Sequence, residues 1–348
     1  MSNSKLISII IPCFNEEMYI EKVIQSILSQ TYPQTKIEVI IVDGMSIDNT
    51  RMIISTYLSK HKNILLLDNP DQVVPFALNK AIKQATGEVI IRMDAHSDYP
   101  NDYVEKLVYW LFKLDADNVG GVWETLPANN TLESKAIALA TSHPFGIGNA
   151  QYRISDKKSP YKVDTVPFGC YKKKVFNQIG LFDEELIRNQ DDEFNGRLIQ
   201  NGGTIYLIPD LKIKYFARDN FKKMYKMFYQ YAYFKPLVNI KLKHPATIRQ
   251  FVPPAFILFL IFGFFLSFFS KLFLYIYLTI LGSYFFANLC IAIILAKNNK
   301  KKFLIPLLVK SFTIIHASYG LGFLKGTAVF NILKKNINNN LNKITISR

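Results

Sequence analysis

The chain has 348 residues, 49% of them hydrophobic, with 42 Lys and Arg against 27 Asp and Glu and a formal net charge of +15. That length serves one large domain or two modest ones, and the composition excludes a disordered, collagen-like or disulfide-scaffolded chain. The charge is uneven: residues 1–211 carry 21 basic and 26 acidic groups, 212–250 carry 10 and 1, and 251–348 carry 11 and 0.

Residues 1–12 hold one lysine and an apolar stretch too short for a signal-peptide core, so the mildly acidic body is expected in the cytoplasm. Short runs rich in β-branched residues at Leu6–Ile11, Ile37–Val42, Ile64–Leu67 and Val89–Met93 predict four strands. Ile20, Val23, Ile24, Ile27 and Leu28 fall at helical spacing in the first gap, and Ala77, Leu78, Ala81, Ile82 and Ala85 do so in the third. Strand and helix in alternation predict a parallel sheet covered on both faces. Ligands of such sheets sit beyond the carboxyl ends of the strands, which singles out Asn15 and Glu16, Asp43, and Asp94 with His96. A carboxylate and an imidazole two residues apart, as in Asp94-Ala95-His96, can share a divalent ion that bridges a diphosphate. The same three residues also suit a loop acid beside a helix cap. Arg92, just inside the fourth strand, supplies positive charge for phosphate.

From 119 to 211 the pattern is less regular, with strands predicted at Val119–Trp123, Val163–Phe168 and Thr204–Ile208 and a helix around Phe194–Ile199. Lys172, Lys173 and Lys174 read either as a solvated face or as charge for a lipid diphosphate. Gln190-Asp191-Asp192-Glu193 opens the helix; the helix dipole favours acids there, and a carboxylate in a cleft can also act as a general base.

Residues 219–235 interleave lysines with seven aromatics, and Tyr225, Phe228, Tyr229 and Ala232 share one helical face. This predicts an amphipathic helix at a membrane surface, or else a packing helix. Two uncharged runs follow, Val252–Phe269 and Leu272–Ala296, each near the ~20 residues that cross a bilayer. The third apolar stretch, 303–324, contains Pro306, Lys310 and His316, and a re-entrant or interfacial segment is favoured over a crossing that would export the basic tail. Lys297, Lys300, Lys301 and Lys302 follow the second run, whereas only Lys271 separates the first two, so the later loop is expected to be cytoplasmic. Membrane lipids, not nucleic acid, are therefore the expected partner of the basic residues. Cys13, Cys170 and Cys290 have neither disulfide nor metal spacing. The expected organisation is an α/β domain over 1–245 with 219–245 membrane-proximal, a membrane region over 251–330 with spans at 252–270 and 272–296, and a basic, Asn-rich tail over 331–348.

Four segments stand in a telling order: Ile10-Ile11-Pro12-Cys13-Phe14-Asn15-Glu16-Glu17, Val42-Asp43-Gly44 through Thr50, Ala85-Thr86-Gly87-Glu88, and Asp94-Ala95-His96. Over residues 5–245 the chain resembles a family 2 inverting glycosyltransferase. Asp94 through Pro100, Val119-Gly120-Gly121, Phe145 through Asn149 and Asn189 through Glu193 are similar to the succinoglycan glucosyltransferase branch. The resemblance implies an α/β GT-A (Rossmann-like) nucleotide-diphospho-sugar transferase domain followed by transmembrane helices. It implies that Pro12, Asn15 and Glu16 line the nucleoside pocket, that Asp43 contacts the base, that Asp94 faces the donor, and that Asp191 is the catalytic base. Asp94 would begin an Asp-x-Asp metal motif for Mn2+ or Mg2+. His96 stands in place of the second acid, Gly44 in place of a common acid, and Gln190 in place of the Glu before the base; the histidine would shift preference toward manganese. The Gln-x-x-Arg-Trp motif of processive members finds only Gln230-Tyr231-Ala232-Tyr233-Phe234, which implies one sugar per encounter. The implied reaction carries one hexose, from a UDP-sugar, to a lipid-linked saccharide at the cytoplasmic membrane face. Alternatives are a polyprenyl-phosphate sugar synthase and a membrane-tethered nucleotide-sugar binder without catalysis.

Overall fold

The computed structural model describes residues 4–95, 97–245 and 247–334, so His96 and the end of the tail, 335–348, lie outside the described residues. The chain forms two compact units, the first made of residues 1–124 and 151–215 and the second of 125–150 and 216–348.

The first unit opens with β1 (Ile7–Cys13), α1 (Ile20–Leu28), β2 (Ile37–Asp43), α2 (Thr50–Leu58), β3 (Ile64–Asp68), α3 (Val74–Gln84) and β4 (Val89–Arg92). The four strands are parallel in the order β3-β2-β1-β4, as the alternation predicts. Successive residues of β1 serve opposite layers: Ile7, Ile9 and Ile11 join Ile20, Val23, Ile24 and Ile27 of α1, while Ile10 joins Ala77, Leu78, Ala81 and Ile82 of α3. A strand buried on both faces reads as a near-continuous apolar run, which is why Ile-Ser-Ile-Ile-Ile could be recognised.

The unit continues with β5 (Ser97–Asp98), α4 (Tyr103–Lys113), β6 (Asn118–Leu126), α7 (Gln151–Ile154), β7 (Tyr161–Lys162), β8 (Cys170–Lys172), α8 (Lys174–Ile179), α9 (Gln190–Gln200) and β9 (Ile205–Phe216). β8 lies antiparallel to β4 and β6, and the sheet continues through β9 to β5, with β7 on β9. The expected strand over Val163–Phe168 is not formed: the run is irregular between β7 and β8. Pro167 has no N–H for a ladder, and Phe168 has φ of 49°, so Val166 and Phe168 are buried as loop side chains.

The second unit holds α5 (Leu132–Ala140), α6 (Pro144–Ile147), α10 (Phe221–Leu242), α11 (Val252–Leu266), α12 (Lys271–Asn298) and α13 (Ile305–Thr327). Its core joins Ala136, Ile137 and Ala140 of α5, Met224, Met227 and Phe228 of α10, and Leu308, Phe312 and Ile315 of α13. Three helical stretches, Ile248–Leu266, Lys271–Asn298 and Lys302–Ile332, are long and apolar enough to cross a membrane. Phe262, Phe268, Phe269 and Phe286 are each more than 60% exposed, a surface suited to lipid. Residues 305–327 form the single helix α13, without a chain reversal. This helix packs along α10: a Cβ on Gly322 or Gly326 would fall within 2.3 Å of the Tyr229 or Tyr233 carbonyl oxygen, so the two backbones touch where α13 has no side chain. Lys310 also has a partner there, its Nζ lying 4.5 Å from the centre of the Phe221 ring. On α10, Phe228 and Ala232 are buried, whereas Tyr225 is exposed.

Candidate active site

The loops after β1 and β2 are stitched together by short polar side chains. Asn15 donates its N–H to Ser46 Oγ (2.7 Å) and accepts from the Ile47 N–H (2.9 Å), and the Glu16 N–H donates to Thr50 Oγ1 (2.7 Å). Pro12 sits within β1 opposite Val42, and Cys13 opposite Asp43. Asp43 lies beneath this seam with its side chain fully buried. Its carboxylate accepts from the Ser46 N–H (2.9 Å), the Ser46 hydroxyl and Arg51 (2.8 Å), and Arg51 reaches Asp68 at the end of β3 as well (2.8 Å). Asp43 is therefore held by Ser46 and Arg51, two residues that sequence reasoning did not single out.

Arg92 closes β4 at the same crevice. Its side chain is 7% exposed; Nη1 donates to both oxygens of Asp191 (2.6 and 2.7 Å), and Nη2 lies 3.3 Å from Asp94. The side chains of Asp94 and Asp191 are 18% and 26% exposed, so the bridge joins two carboxylates that solvent can reach. Burial works against the Arg92 charge, but Asp191 and then Asp94 outweigh it and hold the guanidinium above its ordinary pKa. For Asp191 burial is the largest influence and raises the carboxyl; Arg92 pulls it down, Asp192 and Asp94 push it up, and the net shift is upward. A carboxyl so raised suits proton abstraction.

Each carboxylate is positioned by packing. The Asp94 N–H donates to the hydroxyl of Tyr99 (2.7 Å), a buried side chain that sequence reasoning quoted within a motif without a role. Asp191 stands in the first turn of α9 after Asn189, which has φ of 62°. Phe194 anchors that helix among Tyr171, Phe176 and Phe182. Asn195 accepts from Asn118 (2.9 Å) and donates to Thr165 (2.8 Å), and Arg197 donates to Glu193 (2.8 Å) and to the Leu181 carbonyl (2.8 Å). The acid cluster thus divides: Glu193 is structural, and Asp191 faces the crevice. Asn15, Met45, Phe168 and Asn189, all bordering these loops, have positive φ, a backbone state that non-glycine residues hold only where surroundings enforce it.

Of the lysine triplet, Lys172 pairs with Asp115 and Lys173 donates to the Ala85 carbonyl (2.6 Å), so both have partners within the fold. Among the described residues no three metal-capable side chains cluster. Asp94 alone, partly open to solvent, fits an ion that keeps several waters and takes most of its remaining ligands from a substrate phosphate, the usual habit of Mg2+; the second expected ligand, His96, lies outside the described residues. Removing the bridge has a definite expected cost: Arg92→Gln should lower stability by on the order of 3 kcal/mol, since both carboxylates lose their buried cation. Thermal unfolding in detergent measures it, and Arg92→Lys should recover part of the loss.

A profile for Glycosyl transferase family 2 matches residues 8–180. The dolichyl N-acetyl-alpha-D-glucosaminyl phosphate 3-beta-D-2,3-diacetamido-2,3-dideoxy-beta-D-glucuronosyltransferase of Methanococcus voltae is 31% identical over 240 residues, 67% of this chain and 73% of that protein. The succinoglycan biosynthesis protein ExoA of Rhizobium meliloti is 31% identical over 264 residues, 73% of this chain and 78% of that protein. Among solved structures, the mannosyltransferase PcManGT from Pyrobaculum calidifontis, in complex with GDP-Man and Mn2+, superimposes with a TM-score of 0.56 at 17% identity, covering 96% of this chain and 89% of that one; the likeness is one of fold.

Proposed function

The chain belongs to glycosyl transferase family 2 and is a hexosyltransferase of GT-A-like α/β fold, and from that premise we propose that it moves one sugar from a nucleotide-diphosphate sugar, a UDP-hexose, to a lipid-linked saccharide at the cytoplasmic face of the cell membrane. The observation that supports this most directly is the Arg92 bridge, which holds a raised-pKa carboxylate beside a second, partly exposed one at the carboxyl ends of the strands.

In this reading Pro12, Asn15 and Glu16 line the nucleoside pocket, and Asp43 shapes it from below. The acceptor hydroxyl gives its proton to Asp191 as its oxygen bonds to the anomeric carbon; the bond from that carbon to the diphosphate breaks, and the nucleoside diphosphate leaves with the electron pair. Displacement from the opposite face turns an α-linked donor into a β-linked product. Asp94 and His96 would hold a divalent cation, Mn2+ or Mg2+, which when bound would neutralise charge on the departing diphosphate. Arg92 shares its guanidinium between the two carboxylates and reaches the donor from there.

The acceptor class draws on two supports. The Methanococcus relative is named for a dolichyl-phosphate-linked substrate and ExoA for polysaccharide biosynthesis. The second unit carries three membrane-length helices, with lysines concentrated at 297–302, which favours a cytoplasmic catalytic unit and a membrane-proximal 219–245.

The test is turnover of a panel of nucleotide sugars by detergent-purified protein with Mn2+ or Mg2+ and membrane lipid extract, following nucleoside diphosphate and labelled lipid. Lipid-dependent consumption of one donor is expected; transfer only to soluble sugars would overturn the acceptor class, and donor binding without turnover would overturn the proposed transfer. Asp94→Ala should weaken Mn2+-dependent UDP binding by about 100-fold, as loss of a metal ligand does at least what loss of its support does. Calorimetric titration of UDP with and without Mn2+ measures that loss.

A further inference from the structure

The sequence of the second unit holds two acidic residues, Glu133 and Asp219, among a large excess of lysine and arginine, and both acids are engaged. Glu133 accepts from the Phe221 N–H, and Asp219 accepts from Lys223 Nζ and Asn220 Nδ2, at 2.9 Å each. Arg218 stands next to Asp219 in the chain and is half-buried. It has no hydrogen bond, ion pair or ring contact among the described residues, and its Nε is enclosed without an acceptor. Arg51, Arg92 and Arg197, by contrast, are each bonded to carboxylates. An enclosed N–H donor without an acceptor costs stability, and a guanidinium keeps its charge at every physiological pH, so the position suits an anionic ligand.

The backbone on either side of Arg218 is fixed. The Ala217 N–H donates to the Leu126 carbonyl (2.9 Å), Glu133 takes the Phe221 N–H, and Asn220 caps α10 through the Lys223 N–H (2.9 Å). The surroundings are positive: Lys222 is exposed, and Lys310 of α13 lies over the Phe221 ring. That contact sets the start of α10 beside the first two turns of α13, the end of α13 that the lysines at 297–302 precede. In the orientation proposed above, this end of the helices meets the cytoplasmic leaflet. A lipid-linked saccharide has its apolar chain in the hydrocarbon and its phosphate at the surface, where basic side chains gather.

We infer that Arg218 binds the phosphate group of the lipid-linked acceptor, through the paired N–H donors of its guanidinium. The inference rests on the lipid-linked acceptor proposed above and names the residue that holds its headgroup. Arg218 then lowers the acceptor KM and takes no part in holding the donor, whose diphosphate belongs to the strand ends of the first unit.

The test uses the full chain in detergent, with sugar transfer to membrane lipid extract as the readout and farnesyl phosphate, farnesol, phosphatidylglycerol and inorganic phosphate as inhibitors. Farnesyl phosphate should compete with the lipid acceptor and not with the donor, and farnesol should not compete. Arg218→Gln should raise both the acceptor KM and the inhibition constant of farnesyl phosphate about tenfold, the scale of a hydrogen bond to a charged group, while titration with UDP and Mn2+ stays at the wild-type value. Should Arg218→Gln melt early, Arg218→Lys carries the same comparison, with a smaller rise expected because the charge is kept and the paired donors are lost. Wild-type inhibition constants in these variants would overturn the Arg218 site and leave the lipid-linked reading standing. Competition of farnesyl phosphate against the donor would reassign the site to the donor diphosphate. Inhibition by phosphatidylglycerol or by inorganic phosphate as strong as by farnesyl phosphate would reduce it to a general lipid-headgroup or free-phosphate site. Failure of farnesyl phosphate to inhibit the wild type would overturn the phosphate contact and, if soluble saccharides accept sugar, the lipid-linked reading with it.

Discussion

Replacing Asp191 by asparagine is expected to lower the transfer rate by on the order of 10³-fold while leaving UDP binding nearly intact, because general-base catalysis contributes about 10²–10⁴-fold. Asparagine keeps the shape and one acceptor oxygen for Arg92, so the bridge to β4 is weakened but not emptied. The pH dependence follows from the environment of the carboxyl. Burial raises it above an ordinary aspartate despite Arg92; the ionised base is therefore present above that raised value and is lost as pH falls through it. The acid limb of log kcat against pH should accordingly lie above the usual aspartate range in wild type and be absent from the residual activity of Asp191→Asn. Turnover by the variant at the wild-type rate would remove Asp191 as the base.

Phe194→Ala should strongly destabilise the first unit. Phe194 is fully buried, with ring centres of Phe182, Phe176 and Tyr171 at 4.5, 5.1 and 5.4 Å. Truncating such a core aromatic costs about 3–5 kcal/mol, which in a unit of this size lowers a melting midpoint by roughly 6–20 °C. The residue lies one helical turn from Asp191, so kcat should fall with stability, through displacement of the base instead of loss of a contact with substrate. Phe194→Leu should recover most of the melting temperature. Melts at a fixed scan rate, followed by intrinsic fluorescence in detergent, measure both variants.

The parallel core was legible because β1 through β4 are apolar on both faces and lie between clear helical repeats; their observed bounds differ from the expected ones by no more than two residues. Val163–Phe168 misled for a local reason: Pro167 and the positive φ of Phe168 turn an apolar run into a buried loop. At the site, Asp94 and Asp191 were accessible through motif order, but Arg92's partner is 99 residues away in sequence, and no local spacing reveals such a pair. Lys172 shows the same limit, since its partner Asp115 is 57 residues distant.

The division of the chain into interleaved units has a consequence for biosynthesis. The first unit has all its residues once position 215 has left the ribosome, whereas α5, made well before that, waits for α13 to complete its core. Between Ala140 and Phe312 the ribosome adds about 170 residues, roughly ten to thirty seconds at ordinary elongation rates. Through that interval the face carrying Ala136, Ile137 and Ala140 has no α13 beside it. A nascent chain stalled before α13 would therefore present a finished sugar-nucleotide unit joined to an unfinished helical one, a form for chaperones or the insertion machinery to hold until the last helix arrives.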